Sequence, residues 1–351
     1  MTPEMSPAEI RQRAGRLTRV PLGHFPTPLE ELTRLSDFLG GPRIFIKRDD
    51  CTGLLFGGNK TRHNELILGV AKDRGADVVV WGAGVQSNNC RQTAAGCAKM
   101  GLKCHLVLSK ADHSTEIQGN LLLDYIIGAT VEFTDLPLGA DLWALLGRVA
   151  DRFRAEGHTV FAGNDPSVRP TGAISYVLGL AELMDQLHAR HVPPDAIYVC
   201  SCGVTGSGMF LGKKLLGLRC PVISVMPIVW PGDNLAYMAD IANKAAALLD
   251  VGPCLSRDDI TATPDFIGPG YGHPSPAGME ATRLLARTEA ILLDPVYTAK
   301  ALAALIADIR ADKYRRDQNV VFVHTGGTPA LFAYQREYVA EFGPNGPVRS
   351  N

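Results

Sequence analysis

The stretch Leu54-Leu55-Phe56-Gly57-Gly58-Asn59-Lys60-Thr61-Arg62 governs how the rest of the chain is read. An apolar run stops at two glycines. Asn59 and Lys60 then open a segment over 61–73 that reads as helix, with Glu65, Leu66, Ile67 and Leu68 fitting a helical face. Asn59 is the predicted N-cap. Lys60 therefore stands on a sharp turn at a helix N-terminus. The two glycines let the backbone fold tightly and approach a ligand. The positive end of the helix dipole disfavours an ammonium there. A lysine of lowered pKa is a nucleophile and a Schiff-base former. A surface lysine after a turn fits the same stretch, so the decision rests on the rest of the chain.

The chain has 351 residues, enough for a large core and two domains. With 46% apolar residues, 20% charged residues and a net charge of −1, it reads as an ordinary globular protein. That balance gives no electrostatic case for a nucleic-acid or membrane partner. No apolar run reaches the length of a membrane span. The first residues, Met1-Thr2-Pro3-Glu4, do not read as a secretion signal. Eight cysteines are scattered with no CxxC spacing, which points to a reduced, cytoplasmic chain. The close pair Cys200 and Cys202 reads as packing at a strand end.

Strand and helix patterns alternate along most of the chain, which predicts an α/β protein with mainly parallel sheets. Predicted strands include 43–48, 77–81, 103–108, 130–133, 196–200, 222–226 and 320–324. Predicted helices include 88–100, 120–127, 142–156, 172–187, 209–217, 234–249, 277–289 and 299–312. Four Gly- or amide-rich turns fall at strand C-termini: 82–89, 163–166, 203–208 and 325–328. Ligands of open α/β sheets bind beyond those ends.

The turn Gly203-Val204-Thr205-Gly206-Ser207-Gly208 is the best phosphate cradle, being glycine-rich, hydroxyl-bearing and placed before a helix. It is neither a Walker loop nor a G-x-G-x-x-G fingerprint. A phosphorylated cofactor other than ATP or NAD is expected, with a plain connection as the alternative. Gln86-Ser87-Asn88-Asn89 opens a helix. Ser87 or Asn88 can cap it, and the amides and free N–H groups suit a carboxylate. Tyr271 and Tyr297 lie in irregular context, where a phenol serves as an acid or as a half-buried hydrogen-bond donor. His324, ending a buried strand, reads as structural. No Ser-His-Asp triad or metal set is visible.

Taken in order, six motifs resemble the pyridoxal-phosphate family of 1-aminocyclopropane-1-carboxylate deaminase and D-cysteine desulfhydrase. They are Phe56 to Arg62, Gln86-Ser87-Asn88, Arg91 to Ala95, Val204 to Ser207, Gly268 to Gly272, and Leu293 to Tyr297. The resemblance spans about residues 22 to 335. It implies fold type II, as in the tryptophan synthase β-like enzymes, with two open α/β domains and the cofactor between them. Residues 1–62 and 178–351 would form the large domain, and 63–177 the inserted small one. A homodimer is implied.

By the same resemblance Lys60 would hold pyridoxal 5′-phosphate as a Schiff base and later move the Cα proton. Asn88 would contact the cofactor's phenolic oxygen. Val204, Thr205, Gly206, Ser207 and Gly208 would bind its phosphate. Ser87, Asn88 and Asn89 would bind the substrate carboxylate, and Tyr271 and Tyr297 match the family's active-site tyrosines. The deaminases proper carry Glu where this chain has Thr298. Thr298 or Thr325 is then the expected neighbour of the pyridine nitrogen, which suits direct β-elimination better than opening a cyclopropane ring. The implied activity is D-cysteine desulfhydration to pyruvate, hydrogen sulfide and ammonia. The alternatives are 1-aminocyclopropane-1-carboxylate deamination, L-cysteate sulfo-lysis or deamination of another β-substituted amino acid. Two stretches depart from the family, 110–113 and 163–171, and are expected to shape the substrate pocket. Within them Arg169 and His113 suit an acidic side group such as a sulfonate, or solvent.

Overall fold

In the computed structural model, residues 4–110, 115–344 and 346 are described. Two sheets organise them. The strands are β1 (Leu29–Glu31), β2 (Arg43–Arg48), β3 (Val78–Gly84), β4 (Lys103–Ser109), β5 (Thr130–Thr134), β6 (Val160–Ala162), β7 (Ala196–Cys200), β8 (Val222–Val225), β9 (Ala262–Thr263) and β10 (Asn319–His324). The larger sheet runs β1-β2-β10-β7-β8-β9 and the smaller β5-β4-β3-β6. All neighbours are parallel except β1 and β2. The smaller sheet's strands all fall between residues 78 and 162.

Parallel sheets covered on both faces need strands that are apolar on both faces. Here β7, β8 and β10 are buried along their whole length. Alternate residues feed different cores, as a two-residue period demands. Ile197, Val199, Val321 and Val323 pack on one face, and Ala196, Tyr198, Val320 and Phe322 on the other. The smaller sheet divides in the same way, with Val79, Trp81 and Leu106 opposite Val78, Val80 and Val107.

Strand order reverses once in each sheet. In the smaller sheet the chain proceeds from β3 to β4 and β5, and then returns to β6 on the other side of β3. In the larger sheet β8 and β9 lie on one side of β7, and β10 on the other. A crevice opens beyond the carboxyl ends of strands at such points.

Three parts of the chain meet at a buried ion cluster: the N-terminal segment, the Asn59–Asp73 helix and the Val168–Ala189 helix. Arg62 donates twice to Asp49, at 2.9 Å each, and to Glu182 at 2.8 Å. Lys47 donates to Glu182 at 2.6 Å and to the Thr27 carbonyl at 2.7 Å. Tyr176 donates to Asp49 at 2.6 Å. Burial opposes ionisation of Asp49 and Glu182, but their cationic partners hold both below the ordinary carboxylate range. Two cations and two carboxylates balance, which is what makes such burial tolerable.

Candidate active site

The lysine turn is built by backbone geometry. Gly57 has φ 66° and Gly58 φ 121°. A Cβ on Gly57 would lie 2.0 Å from the Asp50 carbonyl oxygen, so no side chain fits. The N-cap of the Asn59–Asp73 helix is Gly58 rather than the predicted Asn59. Asn59 is displaced from capping because its own groups reach across the molecule. Its N–H donates to the Thr325 carbonyl at 2.9 Å. Its side-chain amide donates to Thr205 Oγ1 at 2.9 Å. His63, one turn further on, meets the same Thr205 hydroxyl at 3.0 Å. The turn is thereby tied to the ends of both β10 and β7.

Arg91, fully buried, clamps the turn from the Asn88–Met100 helix. It donates to the carbonyls of Leu55 and Gly57 and, at 2.8 Å, to Asn120 Oδ1. Asn120 in turn donates to Asn88 Oδ1 at 2.9 Å, leaving the Asn88 amide N–H groups for the cavity. Ser87 caps its helix by accepting from the N–H groups of Asn89 and Cys90, both at 3.1 Å. Its hydroxyl proton remains to be donated elsewhere.

These elements surround a cavity of about 430 Å³. It lies at both reversal points. Gly82 and Gly163 come from the smaller sheet, and Cys200, Gly203, Thr325 and Gly326 from the larger. Lys60, Ser87, Asn88, Asn89, Val204, Thr205, Tyr297 and Thr325 all line it. Tyr271 lines a small adjoining recess that shares Ser87, Asn88 and Tyr297. The Tyr271 and Tyr297 hydroxyls are hydrogen-bonded at 2.5 Å. Burial pushes the Tyr271 phenol up to about 12, against the Tyr297 bond, which pulls it down. Burial and the neighbouring Tyr271 drive Tyr297 higher still.

Burial lowers Lys60 to about 8. The groups beside it that favour its charge are Cys202 and Cys200, and neither is a carboxylate. Burial also raises both thiols, Cys202 to about 11, so they stay uncharged near neutral pH and lend the ammonium little support. Near neutrality the amine loses its proton far more readily than an exposed lysine does.

Several expected site residues lie elsewhere. The helix predicted to start at Met209 begins at Val204. The anticipated loop 203–208 is therefore one glycine followed by helix. Gly206, Ser207 and Gly208 do not line the cavity. A Cβ on Gly208 would lie 2.1 Å from the Ala173 carbonyl oxygen, so this glycine serves the packing of two helices. The Gly206 N–H donates to Ser201 Oγ at 2.9 Å. Thr298 is also turned away. Its hydroxyl donates to Asp294 at 2.6 Å, in a cap where Asp294 also accepts from the N–H groups of Val296, Tyr297 and Thr298. The Thr325 hydroxyl lines the cavity and has no partner among the described residues. His324 has both ring nitrogens engaged, donating to the Leu292 carbonyl and accepting from Gly326 N–H. His113 lies outside the described residues.

The arrangement fits a phosphorylated aldehyde. The first N–H groups of the Val204–Leu215 helix have no acceptor within the helix. A Cβ on Gly203 would meet nothing within 4 Å, so that end of the cavity is open to a bulky anion. The lysine amine, the Asn88 amide and the Thr325 hydroxyl face the same space.

The family model described as "Pyridoxal-phosphate dependent enzyme" matches residues 20–326. The chain belongs to the pyridoxal-phosphate dependent enzyme family. It is 37% identical over 328 residues to a D-cysteine desulfhydrase of Klebsiella pneumoniae subsp. pneumoniae, covering 92% of this chain and 98% of the relative. A D-cysteine desulfhydrase of Klebsiella pneumoniae strain 342 is 37% identical with the same coverage. A crystal structure of an ACC deaminase homologue superposes with a TM-score of 0.85 at 30% identity, over 95% of this chain and 98% of that one. Among the described residues no helix is long and apolar enough to cross a membrane. No group of three or more His, Cys, Asp or Glu residues among them is placed to hold a metal ion.

Proposed function

We propose that this enzyme is a β-eliminating lyase for a small amino acid, of D-cysteine desulfhydrase type, releasing pyruvate, hydrogen sulfide and ammonia from D-cysteine and water. The observation that carries the reading is the Lys60 amine, enclosed with no carboxylate partner at a two-sheet crevice. Pyridoxal phosphate, when bound, supplies the electron sink that makes the substrate Cα–H acidic.

Lys60 holds the cofactor and, once released by substrate, takes the Cα proton on Nζ. The start of the Val204–Leu215 helix receives the phosphate, with Val204 and Thr205 at its edge. Gly206, Ser207 and Gly208 support that helix from behind. Asn88 would donate to the cofactor's phenolic oxygen, because Asn120 already occupies its side-chain carbonyl. Ser87, Asn88 and Asn89 take the substrate carboxylate at the start of the Asn88–Met100 helix. Tyr271 and Tyr297, both protonated and hydrogen-bonded hydroxyl to hydroxyl, move a proton at the departing group or its neighbour.

Thr325, which lines the cavity, would be the neighbour of the pyridine nitrogen. A hydroxyl does not hold that nitrogen protonated as a carboxylate would, which favours direct β-elimination over ring opening. Among the described residues the one carboxylate lining the cavity, Asp233, is paired with Arg257 at 2.8 Å. A homodimer belongs to this reading. It is supported by exposed Leu122, Tyr125 and Ile126 on a helix packed against the turn that carries exposed Phe332. A cytoplasmic site is supported by eight cysteines, none of them in a disulfide.

The test is pyruvate release by purified holoenzyme from D-cysteine, L-cysteine and 1-aminocyclopropane-1-carboxylate. The reading expects D-cysteine turnover and loss of the cofactor's visible absorbance in Lys60→Ala. Turnover that survives Lys60→Ala overturns it.

A further inference from the structure

Arg169 is the one guanidinium lining the cavity among the described residues. It is half-buried, from the first turn of the Val168–Ala189 helix. A cation there faces the positive end of the helix dipole, which costs stability. No acidic residue in that turn offsets the cost. The nearby Asp165 is engaged by Arg74 at 2.6 Å and by Ser167. Arg169 has no carboxylate partner of its own among the described residues. It is held instead by two aromatic rings, 5.4 Å from the centroid of Trp143 and 6.0 Å from that of Tyr237. Trp143 belongs to the helix beside the smaller sheet, and Tyr237 to one packed on the larger sheet's core. A residue that breaks the local helix rule without local compensation points to a ligand.

Two anions that the reaction brings into the cavity already have receptors. The cofactor phosphate and the substrate carboxylate each meet a helix start. The lining carboxylate Asp233 is committed to Arg257, and burial keeps the lining His63 neutral. The guanidinium is thus a third anion receptor, planar and rich in donors, of the kind that matches tetrahedral oxyanions.

We propose that Arg169 extends the substrate range beyond the thiol to amino acids whose β-substituent is an oxyanion, a sulfonate or phosphate. This rests on the lyase reading above. For cysteate the elimination balances as cysteate and water giving pyruvate, ammonium and bisulfite. The Cα proton goes to Lys60, and the Cβ–S electron pair leaves with sulfur. No oxidant or reductant enters. Serine O-phosphate gives pyruvate, ammonium and phosphate by the same bookkeeping.

The experiment compares kcat/KM by pyruvate release from both enantiomers of cysteine, cysteate and serine O-phosphate, for wild-type holoenzyme, Arg169→Gln and Arg169→Lys. Ethanesulfonate serves as a turnover-independent probe in competition. The expected result is a fall of at least tenfold in the ratio of oxyanion to thiol substrate in Arg169→Gln. The fall resides in KM, with partial rescue in Arg169→Lys and weaker ethanesulfonate inhibition. Turnover of cysteine with that ratio moved less than tenfold overturns the proposal alone. So does a uniform loss of kcat on every substrate, which would mark Arg169 as a brace between the two sheets. Loss of cofactor from Arg169→Gln, with the ratio unmoved, overturns it as well. Absence of pyruvate from every substrate in wild type removes the lyase reading and this inference with it.

Discussion

Lys47 and Lys60 both turn their amines into protein, but Lys47 faces a carboxylate at 2.6 Å, whereas the groups favouring the Lys60 charge are two thiols and, among the described residues, no carboxylate. Burial disfavours the ammonium at both positions. At Lys47 the charge of Glu182 and two further acceptors resist that pull, and the side chain locks three segments together. At Lys60 nothing comparable resists, and the amine gives up its proton near pH 8, well below an ordinary lysine. The two residues lie on opposite sides of the turn that Gly57 and Gly58 make. The fold places a satisfied cation and an unsatisfied one within a short length of chain, and only the second is chemically available. Reactivity here is the omission of a counter-charge from a site the fold has already closed.

The largest test of that contrast is Lys60→Ala. On the proposed roles of attachment point and base, it should lower pyruvate release by more than about 10⁴-fold. Stability by urea denaturation of the cofactor-free protein should stay within about 1 kcal/mol, because no ion pair is lost. Lys47→Met should do the reverse. It strips Glu182 of one of its two cations and should cost about 3 kcal/mol in the same denaturation, with per-molecule activity little altered. Equal stability losses in the two variants would break the comparison.

Tyr271→Phe removes one hydroxyl of the phenol pair. It should lower kcat by about 10²-fold with the cofactor still bound, as measured by steady-state pyruvate release. The smallest effect is the pH dependence of cofactor capture by stripped protein. Only the unprotonated amine reacts, and burial sets its midpoint near 8. The capture rate should therefore be low at pH 7, rise through pH 8 and level off about a unit above. A rise that begins only near the ordinary lysine value of about 10.4 would show that Lys60 is held as an ion, as Lys47 is.

Much of the fold was legible because both signals it uses are local. Continuous Val and Ile runs marked β3, β7 and β10, and glycine turns marked their carboxyl ends. The lysine turn stood out because Gly57 and Gly58 are required sterically by their own neighbourhood. Most of what escaped was set by partners distant in sequence. Asn59 looked like a cap until Thr325 and Thr205, far along the chain, claimed its groups. The Val168–Ala189 helix begins before Pro170, which is tolerated in a first turn, whereas a helix from Gly172 was expected. Gly206 and Gly208 looked like cradle residues, but their small size serves the helices behind them. Thr298 was drawn away by Asp294, a capping residue only four positions earlier. Arg91 was visible within a motif, but its grip on the Leu55 and Gly57 carbonyls needed three dimensions. His63 carried a usable signal, since its spacing of four from Asn59 puts both on one helix face.

The placement of β10 has a further consequence. The last long strand to be synthesised is inserted between β2 and β7, both made far earlier. While the chain is growing on the ribosome, β2 and β7 lack the neighbour that joins them, and the carbonyl that fixes Asn59 does not yet exist. Lys60 is translated early, but the last of its surroundings arrives only when nearly all of the polypeptide has emerged. A chain that has not yet reached Thr325 lacks the carbonyl that anchors the lysine turn, so the tethers of that turn are complete only with the last strand in place.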